Sequence, residues 1–333
     1  MSQNKSFNTK NIYVSGINEC SVAHFLSKHI LTDSYKSLLV ILNDNEIDSV
    51  SQDIKTFLDN KNITVLEYPS DDESKRIITL SKISSLQRTV VVADKESVDQ
   101  EVLTFSALHD NTITFKVNNG YKYNNIINLL SKVGYTRENF VEDKGQFSVR
   151  GDILDIWPCD KEKPVRITFD FETVETIKTF DYITQRSEQY LNEVTILPFK
   201  IVDTKTTLLE QINDNFVVYC DDKIEEDNRF SKFNLIINAP LNKKSIHYNY
   251  QSFQGFQGDI KYFIGLIQDL KNRAIPIRIY CSNEPEKQKM VDLFYENGWE
   301  FDDIPAMTIM PLWHGFYLKA LSTFAATASY AIA

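Results

Sequence analysis

The sequence has few of the residues that staple, break or anchor a chain. Its four cysteines, Cys20, Cys159, Cys220 and Cys281, lie far apart and form no C-x-x-C pair. That excludes a disulfide scaffold and speaks against a structural zinc site. Ten glycines and nine prolines in 333 residues are too few for a fibrous or low-complexity chain. No uninterrupted apolar run reaches the roughly 18 residues of a membrane span. The closest approach, residues 316–333, is broken by Lys319 and several Ser/Thr. The opening MSQNKSFNTKN is polar and lacks the apolar centre of a signal peptide. These absences predict a cytoplasmic protein in a reducing compartment, with no membrane contact.

Basic charge is also short. Lys and Arg number 36 against 46 Asp and Glu, a net charge of −10. The deficit is spread evenly: 11 basic against 16 acidic residues over 1–115, 9 against 12 over 131–190, and 14 against 18 over 191–333. No segment forms a basic arm, and phosphate binding needs a Lys/Arg surplus, so the chain is not expected to bind DNA by itself. His24, His29, His109, His247 and His314 are isolated, with no H-E-x-x-H, and no G-x-S-x-G is present. No metal and no hydrolase nucleophile is expected.

What is present is alternation. Asn11–Ser15, Ser37–Asn43, Asn62–Tyr68 and Thr89–Ala93 read as strands. Helical patterns over Ser21–Ile30, Glu46–Leu58 and Ser74–Ser85 separate them. Continuous Val/Ile/Leu strands divided by helices predict a parallel sheet covered on both faces. After an amphipathic helix over Tyr123–Val133 the pattern changes to short alternating runs, FSVRGDILDIW, VRITFDF and TVETIKTF, as in an antiparallel meander. Strand and helix signals return over Phe216–Cys220, Leu235–Ile237, Asp259–Asn272, Ile275–Cys281 and Glu284–Glu296. The expected fold is α/β: a parallel-sheet domain of phosphate-loop type with a degenerate nucleotide site, interrupted by a small α+β domain. The expected boundaries are 1–112, 113–195 and 196–333.

The turn at Gly16 is where a phosphate loop, G-x-x-x-x-G-K-[ST], would sit. Its lysine supplies charge and its hydroxyl binds magnesium. Counting from Gly16, Ser21, Val22 and Ala23 occupy the last three positions, so every requirement fails. A plain strand–helix connection without ATP binding is expected. The acidic run Asp71, Asp72 and Glu73 reads as a solvated loop, and Trp313 with Gly315 as a strand approach.

The most specific stretch is Gly134–Pro198. It carries G-Y-x-R, then G-x-F-x-x-R-G-D-x-[IL]-D-[IL]-[FW]-P, then V-R-I-x-F and a run ending I-x-x-F-D. This resembles the module shared by the excision-repair protein UvrB and the bacterial transcription-repair coupling factors. Thr184–Ser187 (TQRS) and Val194–Pro198 (VTILP) look more like the coupling factors. Leu66–Asp71 and Gly258–Tyr295 resemble the flanking α/β domain more loosely, the second as the return of the chain into it.

The resemblance implies a non-catalytic, cofactor-free module that recruits UvrA, the damage-sensing ATPase, in transcription-coupled nucleotide excision repair. RNA polymerase and DNA would be partners only through domains beyond residue 333. By position in the motif, Arg150 and Arg166 correspond to the partner-binding arginines. A guanidinium suits that task because its planar fork pairs two-pronged with carboxylates. The alternative is that the arginines brace the core through buried carboxylates such as Asp152 or Asp155. Asp170 stands where the family carries an exposed aromatic, so Phe169 or Phe171 would have to supply the ring, and neither can do so without a bulge in the strand. Ordinary strand alternation would put both on one face, opposite Asp170. The alternative is a UvrB-like ATP-dependent helicase subunit, which needs the phosphate loop that Gly16–Ala23 lacks.

Overall fold

The computed structural model describes residues 11–18, 21–31, 37–42, 46–58, 63–84, 88–200, 205–221, 227–240, 245–248, 250–252, 259–310, 312, 316–318 and 323–327. The chain divides into two compact units: Met1–Glu67, Arg88–Lys95 and Asn213–Ala333 form one, Tyr68–Gln87 and Glu96–Ile212 the other. Cys20, Trp313 and Gly315 lie outside the described residues.

Strand β1 (Asn11–Ser15) passes through Gly16 into a single helical turn, α1 (Val22–Phe25), which continues as a π-helix over Leu26–Ile30. Val22, Phe25, Leu26 and Ile30, the apolar face of the sequence pattern, are all buried. There follow β2 (Ser37–Leu42), α2 (Ile47–Phe57), β3 (Thr64–Tyr68), α3 (Glu73–Ile83) and β4 (Thr89–Asp94). Strands β2 and β4 are buried along their whole length, as expected for parallel strands covered on both faces. The acidic run before α3 is not a free loop. Asp72 is the N-cap of that helix and its carboxylate accepts from Lys75 N at 2.9 Å. Asp-x-x before an apolar helical run is a capping signal, and it explains why Asp72 sits there.

The second unit contains β5 (Val102–Leu103), α4 (Phe105–Asp110), β6 (Ile113–Lys116), α5 (Tyr123–Lys132) and β7 (Thr136–Arg137). Its meander is β8 (Gln146–Arg150), β9 (Ile153–Ile156), β10 (Val165–Asp170), β11 (Thr173–Phe180) and β12 (Ser187–Leu191). It closes with β13 (Glu193–Ile196), β14 (Lys205–Thr206) and α6 (Leu208–Gln211). Strands β12-β11-β10-β9-β8-β7 form one sheet, antiparallel except for the β7–β8 pair. Its inner face carries Phe147, Leu154, Ile156, Val165, Ile167, Phe169, Val174 and Ile177, packed with Ile126 and Leu130 of α5.

The chain then returns through β15 (Phe216–Asp221), β16 (Asn234–Asn238) and β17 (Ile246–His247). These complete a seven-stranded sheet in the order β17-β1-β16-β15-β2-β4-β3. The pairings β1–β16, β1–β17, β16–β15, β15–β2 and β2–β4 are all parallel. The final part, β18 (Tyr250–Ser252), α7 (Ile260–Asn272), β19 (Ile277–Cys281), α8 (Glu284–Glu296), β20 (Ala306–Ile309), β21 (Phe316–Leu318) and β22 (Thr323–Thr327), builds a five-stranded sheet of its own. The return into the first sheet is therefore made by β15–β17, upstream of the 258–295 segment. That segment belongs to the same compact unit but pairs its strand β19 with β20 and β22. The α/β class expected from the strand–helix alternation is the class observed.

Candidate functional site

The outer face of the antiparallel sheet gathers the charged residues of the motif. Strands β8 and β9 meet in a hairpin that pairs Arg150 with Ile153 across Gly151 and Asp152. Gly151 has φ +58°, a left-handed conformation that glycine adopts without a Cβ penalty. The register then aligns Ser148, Asp155, Arg166, Lys178 and Tyr190 in one row across β8 to β12. Directly paired residues of neighbouring strands share a sheet face, so the two arginines lie on the same side.

They converge on Asp155, which is 1% exposed. Arg150 Nη2 donates to Asp155 Oδ2 at 2.5 Å. Arg166 donates through Nε to Oδ1 at 2.7 Å and through Nη2 to Oδ2 at 2.9 Å. A carboxylate this deeply buried is tolerable only when its oxygens are satisfied by charged donors. The arginines differ in what remains to them. Arg166, its side chain 17% exposed, also donates to the Gln185 backbone oxygen at 3.1 Å and to Gln185 Oε1 at 3.3 Å. Its guanidinium stacks 4.6 Å from the Phe180 ring centroid. Arg150, 41% exposed, makes the single bond to Asp155 and covers Phe140 at 5.2 Å. Most of its five N–H donors face solvent. The pairing with Asp155 raises the already high pKa of Arg166.

Phe180 and Gln185 are the residues that sequence reading passes over as site components, whereas Asp155 is one of the two carboxylates it offers as a brace for the arginines. Phe180 packs with Val141 and Trp157 in a small apolar cluster of its own, giving the guanidinium a rigid floor. Gln185 has φ +60°. It is held in a turn where Thr184 donates from N at 2.7 Å and from Oγ1 at 2.8 Å to Asp181. Those bonds keep the Asp181 carboxyl below its usual pKa. The TQRS block is thus the support for Arg166.

The aromatic expected at the interface needs correction. Phe169 is 3% exposed and packs 6.3 Å from Phe115 in the inner core, so its ring is withdrawn from any partner. Phe169 and Phe171 do not share a face. The β10–β11 register shifts between Thr168 and Phe169, Asp170 pairs with Thr173, and Phe171 lies on the two-residue turn between them. Phe171 has φ +54° and is 89% exposed. A turn, rather than continued strand, reverses the expected alternation.

In the other unit, the turn at Gly16 is closed by the chain itself. Gly16 has φ +73°, and a Cβ there would stand 2.0 Å from the Tyr248 carbonyl oxygen and 2.6 Å from the His247 ring. Tyr248 N donates to Ser15 O at 2.8 Å and Tyr250 N to Gly16 O at 3.1 Å. Ser21, Val22 and Ala23 are all buried, and the Ser21 hydroxyl is bonded back to Asn18. Among the described residues no group of three or more His, Cys, Asp or Glu could hold a metal ion, and no helix is long and apolar enough to cross a membrane. Cys159, Cys220 and Cys281 are buried free thiols, and burial pushes the Cys159 pKa up to about 12.

Residues 113–201 match the model of the UvrB interaction domain, a span that runs from β6 past β13 and contains the whole arginine face. The motif resemblance to the UvrB-homology module thus has a family match on the same residues. The particular relatives are transcription-repair-coupling factors. Identity is 29% over 203 residues with that of Staphylococcus haemolyticus (strain JCSC1435) and with that of Staphylococcus epidermidis (strain ATCC 12228 / FDA PCI 1200), covering 57% of this chain and 17% of each relative. It is 25% over 206 residues with that of Staphylococcus aureus (strain NCTC 8325 / PS 47), covering 58% and 17%. The aligned region therefore spans 17% of the length of these curated relatives.

Proposed function

We propose that residues 113–195 are a non-catalytic docking module that recruits UvrA in transcription-coupled nucleotide excision repair. The similarity to transcription-repair-coupling factors supports the repair role. The observation that carries the contact is the convergence of Arg150 and Arg166 on the buried carboxylate of Asp155. The shared anchor fixes two guanidiniums on one face and leaves a positive surplus there, although the whole chain carries −10. Arg150 is the contact arginine, because its donors are uncommitted. Arg166 is a positioning residue, locked by Asp155 and Gln185. Phe171 is the exposed ring nearest the position where the resemblance implies an aromatic.

The turn at Gly16 supports the absence of nucleotide chemistry. The Ser21 hydroxyl is spent on Asn18, Val22 and Ala23 stand where the lysine and the magnesium-binding hydroxyl would be, and the Tyr248 carbonyl crowds the turn at Gly16. Contacts with RNA polymerase and DNA are assigned to domains outside this chain.

The test is a titration of purified UvrA with Arg150→Ala and Arg166→Ala chains, each paired with a thermal melt. Loss of a charged hydrogen bond at a partly desolvated interface is worth about 1.5–3 kcal/mol, so Arg150→Ala is expected to weaken binding roughly tenfold to a hundredfold, with a smaller drop in melting temperature than Arg166→Ala because Asp155 keeps both bonds from Arg166. Arg166→Ala is expected to lower both, because it strips two bonds from buried Asp155. Undiminished binding by a folded double variant would overturn the assignment.

A further inference from the structure

We infer that the partner-binding face continues beyond the two arginines, along the same row, to Lys178 and Tyr190. This rests on the reading that the arginine face binds UvrA. The register places Arg166 opposite Lys178 and Lys178 opposite Tyr190. With neighbouring strands about 4.8 Å apart, the row carries cations on β10 and β11 and ends on an aromatic at the edge strand β12, while Arg150 stands two residues from the row's β8 member, Ser148. Lys178 Nζ stands 4.5 Å from the Tyr190 ring centroid. It has no carboxylate partner among the described residues, whereas Lys163 on the same unit is paired with Glu188 at 2.6 Å. Tyr190 is 69% exposed.

The three cations of this face are all backed by rings: Arg150 by Phe140, Arg166 by Phe180 and Lys178 by Tyr190. A ring beneath a cation limits its rotamers, so less side-chain freedom is lost when a partner binds. One buried carboxylate, Asp155, serves two of the cations and none serves Lys178. The complementary surface is an acidic strip on the partner. It would present one carboxylate to Arg150 and a second, about three strand spacings away, to Lys178. Tyr190 would supply apolar contact at the edge. A half-exposed charge of this kind acts chiefly on the rate of encounter and its salt dependence.

Stopped-flow or surface-binding kinetics of the full chain with purified UvrA test this, using Lys178→Glu, Tyr190→Ser and, for the same net-charge change on helix α8, Lys289→Glu. The expected result is a roughly tenfold slower association for Lys178→Glu at low salt, shrinking as salt rises, because exposed charges are screened within about 10 Å at 0.1 M. Tyr190→Ser is expected to slow association a few-fold by freeing the lysine, and Lys289→Glu to leave the rate unchanged. Melting temperatures are expected to stay at the parent value. If Lys178→Glu binds with the parent rate and salt slope, or if Lys289→Glu is equally slow, the extension fails while the arginine face stands. If the unmodified chain does not bind UvrA, both readings fall together.

Discussion

Gly16 and Gly151 each follow a β-strand, and each takes a left-handed φ, +73° and +58°. Around Gly16 the molecule has grown shut: the Tyr248 carbonyl lies 2.0 Å from the ideal Cβ position. A Cβ on Gly151 would meet nothing within 4 Å beyond its chain neighbours. The first turn sits where a nucleotide-binding relative would need open backbone, and it holds its own chain instead. The second stands beside Arg150, a side chain with donors to spare. One local conformation therefore serves packing in the parallel sheet and presentation in the antiparallel one. Substitutions at these turns separate the two uses.

The largest effect is expected at the closed turn. Gly16→Ala adds a methyl group against a backbone carbonyl, which can move only by breaking the bonds that tie Tyr248 and Tyr250 to β1. Left-handed strain of about 1–2 kcal/mol and overpacking of about 1–3 kcal/mol combine to a loss of roughly 2–5 kcal/mol, read by urea denaturation. A loss below 1 kcal/mol would show that the segment over Gly16 is loosely held.

The same closed region should respond to acid. His24 Nδ1 is 2.9 Å from Tyr250 Oη, and its ring meets Phe57 edge-on at 5.4 Å between centroids. Burial, reinforced by Lys28 and His29, lowers its pKa from 6.5 to about 3. A histidine neutral in the fold but protonated when unfolded contributes stability that is fully present above pH 6.5. That stability is lost as pH falls toward 3, at up to about 1.4 kcal/mol per unit. Stability at pH 7.5 minus that at pH 4.5 is therefore expected to shrink in His24→Gln. An unchanged difference would remove His24 as the cause.

Much of this was readable from residue patterns, and what was not has identifiable causes. The buried parallel strands β2 and β4 announce themselves as SLLVIL and TVVVA, because continuous apolar runs have no other home. The arginine pair came from the motif resemblance, which picks out Arg150 and Arg166 by position; residue pattern alone reads them as ordinary strand charges. The common anchor was harder. Asp152 and Asp155 are both candidates to brace the arginines, and only the strand register, which sets Asp155 directly opposite Arg166, separates them. Phe169 and Phe171 misled for a related reason. Period-two alternation holds only while the strand continues, and the turn at Phe171 carries no glycine, proline or asparagine to mark it.

The smallest effects belong to the open turns, and there the sign is informative. Gly151→Ala meets no atoms, so it should cost only the left-handed penalty, about 1–2 kcal/mol. Phe171 already bears that penalty at φ +54° with its ring 89% exposed. Phe171→Gly should relieve it. The gain is offset by the greater backbone freedom of glycine in the unfolded chain, about 0.5–1 kcal/mol. A net stabilisation of roughly 0.5 kcal/mol is expected, visible as a small upward shift in melting temperature. If the exposed ring serves the partner, the same variant should bind UvrA more weakly while being no less stable, since aromatic anchors dominate interfaces and contribute nothing to the fold when fully solvated. Gly151→Ala should show the opposite pairing, with lower stability and nearly parental affinity, provided Arg150 keeps its bond to Asp155. A Phe171→Gly chain that is both less stable and equally avid would mean that the ring has local packing work in solution and that the strained turn has no role in recognition.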